Sequence, residues 1–459
     1  MRKRVLAAIS YTKGVDTLKR QTVVAALVGL VVVLAATGAR AQQAQPTGQD
    51  KDLAKKVETL EKQVAGLKKE GAAKPAGGKT DKKPEGTTLR ASWNNGLFFG
   101  DEAGKVKVQI GALIQDDWAA IDHKGAATAG TRGGTEFRRA RLSISGSVAK
   151  NVEFKAEYDF ANGAGTTAFK DVWVGLKRIP YVGNIRIGHY KEPFSLEEVT
   201  SDPWCTFMER ALPNAFSPSR NVGLMLQNAC LDDRLTWAAG LFHNADDFGV
   251  GLGQNIDFTG RIAGLPYAEA EDKLVHLGLG LSFRNPQDDS IKYSARPEAH
   301  LAGRIVDTGA LAANSAVLIG SEAAMVYGPG SVQAEWVMSS VDQAAGPVLN
   351  FSGYYAQASY FVTGEHRVYK RATGAFDRPK PRRNFLEGKG GIGAWELALR
   401  YSHIDLNDAT VTGGQLSDLT LGVNWYLNPV VRCSLNYVMA DGNPAPDEHI
   451  LEVRTQLSF

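Results

Sequence analysis

Beyond its first 41 residues, the sequence lacks any apolar run long enough to cross a bilayer as a helix, and it is poor in cysteine. A helical span needs about 20 apolar residues, and no run of 18 occurs downstream. Cys205, Cys230 and Cys433 show no metal-ligand spacing and are too few for a disulfide framework, although a single bridge remains an alternative to isolated thiols. The eight histidines stand apart from any nucleophile motif. We therefore expect no enzymatic activity, no cofactor and no metal site.

Positive charge in excess is also missing from most of the chain. The formal charge is +3, but the first 41 residues hold seven Lys or Arg and one Asp, which leaves 45 basic against 48 acidic residues. The basic balance belongs to the amino terminus and gives no reason to expect nucleic-acid binding.

That amino terminus has the organisation of a secretory leader. A basic flank ends at Arg20, an uncharged run of 14 residues extends from Val23 to Ala36, and Ala39-Arg40-Ala41 follows. The run is short for a bilayer span, and Ala-x-Ala is a cleavage pattern for signal peptidase. We expect residues 1–41 to be a signal peptide cut after Ala41, with an uncleaved inner-membrane anchor as the alternative.

Residues 42–96 combine a short heptad pattern with a linker. Apolar residues recur at steps of four and three between Asp50 and Lys69, and a Lys/Gly/Pro-rich stretch from Glu70 to Pro84 follows. We expect a periplasmic coiled coil of an oligomer and a flexible linker. A solvated charged helix or a disordered tail is the alternative.

From Glu136 to Phe160 the chain alternates between apolar and polar residues over two consecutive segments. Ala140, Leu142 and Ile144 share one face while Arg139 and Arg141 share the other, and a second alternating segment follows a turn. Period two over two segments predicts an antiparallel hairpin. The pattern leaves two options open, since a soluble sandwich buries the apolar face and an outer-membrane barrel turns it to lipid.

The rest of the chain favours the barrel. Sixteen alternating segments occur between Lys105 and Phe459, and their connections mostly alternate between short and long, as in outer-membrane barrels. The segment from Gly364 to Gly390 is long although it falls at the periplasmic end. The last strand ends in Phe459 and resembles the signal that the barrel-assembly machinery recognises. We expect residues 97–459 to form an all-β, 16-stranded antiparallel transmembrane β-barrel.

If the apolar side chains of each strand face lipid, the alternating polar side chains line the lumen with charges of both signs. Arg138, Arg139 and Arg141 are the densest basic cluster in the strands. Basic side chains along a pore favour anions, although pairing with neighbouring carboxylates, so that they only shape the pore field, is the alternative. The segment from Lys191 to Arg220 is too apolar for an exposed loop and is expected to fold into the barrel as its third loop. There Lys191, Arg210 and Arg220 would face Glu197, Glu198 and Glu209. The expected pore-lining or anion-binding residues are Arg138, Arg139, Arg141, Lys155, Lys191, Arg210 and Arg220.

Several blocks of sequence resemble the phosphate-selective porin O and P family. They are FRRARL from Phe137, KEPFSLEE from Lys191, FMERALPNAFSPSRNVG from Phe207, ARPEAHLAGRIVDTG from Ala295 and GAWELALRYSHIDL from Gly393. The resemblance covers residues 97–459 and implies a 16-stranded trimeric outer-membrane porin with an inward-folded third loop. It also implies that the basic pair Arg138 and Arg139 lines an anion path.

Together these observations predict a passive porin in the outer membrane of a Gram-negative-type envelope, with its amino-terminal helix in the periplasm. The expected partners are outer-membrane lipid, the barrel-assembly machinery, two further copies of the chain, and small anions such as phosphate or polyphosphate. A general or differently selective porin is one alternative. An envelope tether that uses the coiled coil, with the barrel as anchor, is another.

Overall fold

The computed structural model describes residues 88–459, apart from 124–130, 163–165, 247, 252, 254 and 389. The predicted signal peptide, the coiled coil between Asp50 and Lys69, and the linker lie outside the described residues. Within the described part of the chain, no helix is both long enough and apolar enough to cross a membrane.

Sixteen long strands make up most of the described chain, and we number them in chain order. The first eight are β1 (Lys107–His123), β2 (Thr131–Val148), β3 (Val152–Asn162), β4 (Thr166–Ile179), β5 (Gly183–Lys191), β6 (Arg220–Cys230), β7 (Leu235–His243) and β8 (Asp257–Ala270). The second eight are β9 (Lys273–Arg284), β10 (Leu311–Tyr327), β11 (Gly330–Gln343), β12 (Leu349–Phe361), β13 (Ala394–Asp408), β14 (Val411–Asn428), β15 (Val431–Asn443) and β16 (Glu448–Ser458).

The sixteen strands form a closed antiparallel barrel. Each strand pairs with the next along the chain, and β16 returns to β1 with Glu448 opposite His123 and Ser458 opposite Leu113. Closure leaves no unpaired strand edge, which is a requirement for a sheet in lipid. The predicted 16-stranded all-β barrel is confirmed, and several strands are longer than the sequence pattern indicated.

The two faces of the wall differ in the way that the alternation predicted. On β16, the outward Leu451 and Val453 are 45% and 40% exposed, whereas the inward Glu452 and Arg454 are 2% and 1% exposed. Apolar side chains therefore cover the outside and ionic side chains line the inside. A soluble β-sandwich with an apolar core would have the opposite arrangement.

The two ends of the barrel carry different connections. Short turns at residues 149–151, 231–234 and 429–430 lie at the end where β1 begins and β16 finishes, which we call the turn end. Longer connections at residues 192–219 and 285–310 lie at the opposite, loop end. A hairpin of Leu89–Trp93 and Leu97–Asp101 adds to β1 at the turn end, so the strands begin eight residues before the predicted boundary at Leu97.

Three of the connections have secondary structure of their own. Residues 192–219 contain a short helix, α1 (Leu196–Val199), and 3₁₀ turns at Asp202–Trp204 and Leu212–Phe216. Within 285–310, Ser294–Ala295 pairs with Val306–Asp307. Within the long turn-end connection, Val368–Lys370 pairs with Ala375–Asp377.

An apolar cluster lies inside the barrel toward the loop end. Phe216 contacts Tyr293 edge to face at 5.0 Å, and Tyr293 contacts Phe351 at 6.0 Å between ring centroids. Inward-facing residues of the wall such as Ile404 and Val438 are fully buried in the same cluster. Two connections thus pack against each other and against the wall.

Candidate functional site

Residues 192–219, which we call the 192–219 segment, contact the inward-facing side chains of the wall. The Glu335 carboxylate on β11 accepts hydrogen bonds from the backbone N–H groups of Leu196 and Glu197, both at 2.8 Å. A carboxylate is favourable at these free N–H groups of a helix start. Phe207, 1% exposed, lies with its ring centroid 4.3 Å from the Arg400 guanidinium. These contacts connect the segment to several strands on the far side of the barrel.

The centre of the site is a single carboxylate surrounded by four cations. Asp202 lies 2.6 Å from Arg141 Nη1, 2.7 Å from Arg210 Nη2, 3.4 Å from Arg139 Nε and 3.9 Å from Lys191 Nζ. Its side chain is 4% exposed. Burial alone would raise the pKa of Asp202, but the surrounding cations hold this pKa well below its usual range. Four basic side chains thus converge on one anionic position.

A second centre forms around Glu209, toward the loop end. Arg138 donates two hydrogen bonds to its carboxylate, both at 2.9 Å, and Arg454 Nη2 lies 2.7 Å from Oε1. Arg454 also forms a two-pronged pair with Asp117 on β1. Burial tends to raise the pKa of Glu209, and the guanidinium groups of Arg138, Arg454 and Arg139 lower it well below the usual range.

Arg138 reaches this centre because of a β-bulge in β2. Opposite β1, Arg139 pairs with Gln115 and Phe137 pairs with Asp116, so Arg138 has no partner in the ladder. A bulge places two residues opposite one and re-aims a side chain. Phe137 is 63% exposed on the outside, whereas Arg138 and Arg139 both point inward. Strict alternation would have sent Arg138 toward lipid.

A third centre lies toward the turn end. Lys155 Nζ is 2.8 Å from Asp171 Oδ2, and Arg220 Nε is 2.7 Å from Asp171 Oδ1. Glu157 joins them at 3.0 Å from Lys155. Three strands, β3, β4 and β6, supply this group, and it continues the ionic network from Asp202 along the wall.

The structure brings all seven predicted site residues into this connected network, and each is paired with a carboxylate. Some partners differ from those expected. Lys191 and Arg210 pair with Glu198 and Asp202, whereas Arg220 pairs with Asp171. Asp202 forms four ion pairs and was absent from the expected set.

Sequence reasoning also missed Glu298, which holds residues 285–310 against the wall. Its carboxylate lies 2.5 Å from Arg400 Nη2 and accepts hydrogen bonds from Ser402 and Thr420. Arg400 lies on the inward face of β13 and is fully buried. The signal for Glu298 was present in the ARPEAHLAGRIVDTG block, where Glu298 and Asp307 are the two acidic residues.

The long connection at residues 362–393 reaches the site from the turn end. Arg261 donates to the carbonyl of Gly374 at 2.8 Å, and the Tyr369 hydroxyl contacts His276 Nδ1 at 2.7 Å. The Arg378 guanidinium lies 4.6 Å from the Trp204 ring centroid in the 192–219 segment. The long stretch from Gly364 to Gly390 therefore includes a small hairpin inside the barrel that supports the 192–219 segment from the turn end.

Two water-accessible cavities lie on either side of the Asp202 centre. The cavity toward the turn end has a volume of about 630 Å³ and is lined by nine basic and four acidic side chains. The cavity toward the loop end has a volume of about 570 Å³ and is lined by six basic and two acidic side chains, together with His300. Basic side chains exceed acidic ones in the lining of both cavities.

The described residues offer no group of three or more His, Cys, Asp or Glu side chains arranged to hold a metal ion. Cys205, Cys230 and Cys433 are free thiols.

The comparison with protein families decides the identity of this barrel. Residues 108–459 match the model of the family described as phosphate-selective porin O and P. The chain belongs to the phosphate-selective porin O and P family. It is an outer-membrane porin of this family, and the recognition made from its sequence blocks is confirmed.

Two relatives and one solved structure illustrate the similarity of this porin. Porin O of Pseudomonas aeruginosa is 28% identical over 395 residues, which cover 78% of this chain and 88% of the relative. An uncharacterized protein of Caulobacter vibrioides is 30% identical over 378 residues, which cover 78% of this chain and 73% of the relative. The structure of OprB from Pseudomonas putida has a TM-score of 0.51 at 13% identity, covering 77% of this chain and 94% of that one, and shares the fold.

Proposed function

We propose that this porin is a passive diffusion channel that prefers anions and that the 192–219 segment forms its constriction. The observation that carries the proposal is the excess of basic side chains in both cavities beside the Asp202 centre. A positive potential on both sides raises the local concentration of anions and lowers that of cations.

The basic side chains of the constriction have the chemistry that recognises phosphate. Guanidinium groups present planar pairs of donors that match phosphate oxygens. Arg139, Arg141, Arg210 and Lys191 surround the Asp202 carboxylate, so an anion that arrives there competes with this carboxylate for their donors. Inorganic phosphate, or polyphosphate as a chain of such groups, is the solute class that we assign to this channel.

A general or weakly selective porin is the second candidate, and one observation favours it. Every one of the seven expected anion-binding residues is paired with a carboxylate, and paired charges attract a mobile anion less than free ones. The two candidates differ in the sign and size of ion selectivity.

Planar-bilayer recording of the purified protein in a potassium chloride gradient separates them. The anion-preferring channel gives a reversal potential close to the chloride equilibrium potential, and added phosphate reduces the chloride current. A reversal potential near zero supports the general porin. Chloride preference without a phosphate effect would keep the anion channel and remove phosphate as its preferred solute.

We further propose that the porin works as a homotrimer, with residues 42–96 in the periplasm and with the last strand recognised by the barrel-assembly machinery. Deletion of residues 42–85 separates a coiled-coil clamp from an envelope tether. Loss of trimers on native gels supports the clamp. Intact trimers and conductance with loss of envelope attachment support the tether.

A further inference from the structure

The long turn-end connection has a second part that lies outside the lumen. Residues 382–393, which we call the rim tip, follow the inner hairpin and return to β13. Leu386 is 78% exposed, Ile392 is 56% exposed and Phe385 is 38% exposed. Three large apolar side chains thus project together from one short stretch of the rim, which is costly if only water surrounds them.

The exposure of Leu386 is held in place by the backbone of the rim tip. Leu386 N donates to the carbonyl of Gly391 at 3.0 Å, and Phe385 N donates to the carbonyl of Leu427 on β14. The Leu386 backbone has a φ of +60°, in the left-handed region that non-glycine residues rarely adopt. Gly391 is required at the closure, because an added Cβ would lie 2.1 Å from the Asn384 carbonyl oxygen. The fold therefore accepts backbone strain to present this side chain outward.

The rim tip is continuous with the outer, apolar surface of the barrel. Trp395 and Trp425 stack with their ring centroids 5.1 Å apart, and Phe385 packs edge to face on Trp425 at 4.9 Å. Both indole N–H groups donate to the Ile392 carbonyl, at 3.2 and 2.9 Å. On their strands these tryptophans share the outward parity of Leu397, and aromatic rings at the ends of such rows lie at the headgroup level of a membrane.

The charges beside the apolar side chains favour an anionic headgroup. Lys380, Arg382 and Arg383 are exposed immediately before Phe385, and Glu387 is the exposed acidic residue of the rim tip. Basic residues that flank an apolar tip attract anionic lipids, and each such residue near the membrane surface strengthens the binding.

We propose that the rim tip is an interfacial anchor for phospholipid. Phe385, Leu386 and Ile392 enter the boundary between headgroups and acyl chains at the turn end, and Arg383 contacts lipid phosphate. The anchor fixes the long connection from the outside while its hairpin supports the constriction from the inside. The inference depends on the barrel crossing a membrane and not on anion preference, so this proposal and the proposed selectivity can fail separately.

Photo-crosslinking of the full-length porin tests the anchor. Benzoylphenylalanine replaces Leu386, and in a matched control it replaces Lys150, an exposed residue of the β2–β3 turn at the same end of the barrel. The trimers are reconstituted in vesicles of phosphatidylethanolamine and phosphatidylglycerol, irradiated and analysed by mass spectrometry. We expect phospholipid adducts at position 386 and none at position 150.

Two other outcomes would overturn the anchor. Protein dimers cross-linked through position 386 would show that a second copy covers the rim tip. Absence of any adduct, in a variant with unchanged conductance, would show that the tip faces water. Arg383→Gln provides an independent measurement on a natural Leu386 background, since the enrichment of phosphatidylglycerol among co-purified lipids should fall. Unchanged lipid composition would remove the assigned headgroup contact.

Discussion

Asp202→Asn is the substitution that most directly tests the role of the four-cation centre. Asparagine has nearly the same shape, but it removes one negative charge and keeps only one acceptor oxygen, whereas Arg141 and Arg210 contact different oxygens of the Asp202 carboxylate. The carboxylate that it replaces lies 2.6 to 3.9 Å from four basic groups. Its removal leaves those groups with one counter-charge fewer and makes the constriction more positive.

The size of the effect follows from the repulsion between Asp202 and a passing anion. At a separation of about 4 Å, two unit charges interact by about 1 kcal/mol in water and by about 4 kcal/mol at an effective dielectric constant of about 20. An anion gains that energy in the variant and a cation loses it. The lower value corresponds to about a fivefold change for each ion. Because the gain for the anion and the loss for the cation multiply, we expect the chloride-to-potassium permeability ratio to rise by at least about 25-fold.

The assay is the reversal potential of single channels in a potassium chloride gradient, together with the concentration of phosphate that halves the chloride current. Asp232→Asn is the matched control, because Asp232 lies in an exposed turn with a φ of +56° that asparagine tolerates. Heat-modifiable migration of both variants verifies folding. An unchanged or lower permeability ratio in a folded Asp202→Asn variant would refute the assignment of Asp202 as the charge that limits anions.

Three further predictions follow from the same contacts. Replacing both Arg139 and Arg141 by alanine lowers the permeability ratio without unfolding the barrel; unchanged selectivity with a lower thermal midpoint would make them structural ion-pair members only. Glu298→Ala leaves the buried Arg400 with one carboxylate fewer, and we expect it to lower the free energy of unfolding by about 3 to 5 kcal/mol in chemical denaturation. Asp307→Ala removes only an exposed ion pair and should lower the free energy of unfolding by less than about 1 kcal/mol. Because cations hold the pKa of Asp202 well below its usual range, this carboxylate is ionised at both about pH 8 and about pH 5. We therefore expect Asp202→Asn to raise the permeability ratio equally at the two pH values. Disappearance of the effect at the lower pH would contradict this.

The number and direction of the strands were predictable because a wall between lipid and water forces strict alternation. Each outward position must be apolar, and each inward position is free to be ionic, so Leu451 and Arg454 alone already indicate opposite faces. Strand ends were less predictable, since the alternation fades where a strand leaves the membrane. The wall of β2 extends back to Thr131, six residues before the apolar pattern begins.

The candidate site was predictable in its members and less so in its partners. Basic residues on inward parity had to lie in the lumen, and a loop with four prolines and several aromatic side chains had to be buried. The pairing of Arg220 with Asp171, or of Arg400 with Glu298, depends on contacts between residues 49 and 102 positions apart. Local pattern carries no information about which of several carboxylates meets a given arginine across an open lumen.

The bulge at Arg138 has a consequence for the linear charge density of the wall. A regular strand turns every second side chain inward, whereas β2 turns two successive guanidinium groups inward at one level. Because Phe137 and Arg139 already point in opposite directions, excision of Arg138 would leave every neighbour facing as before. Deletion of Arg138 is therefore expected to remove one positive charge from the lumen without changing the strand pairing of the rest of the wall.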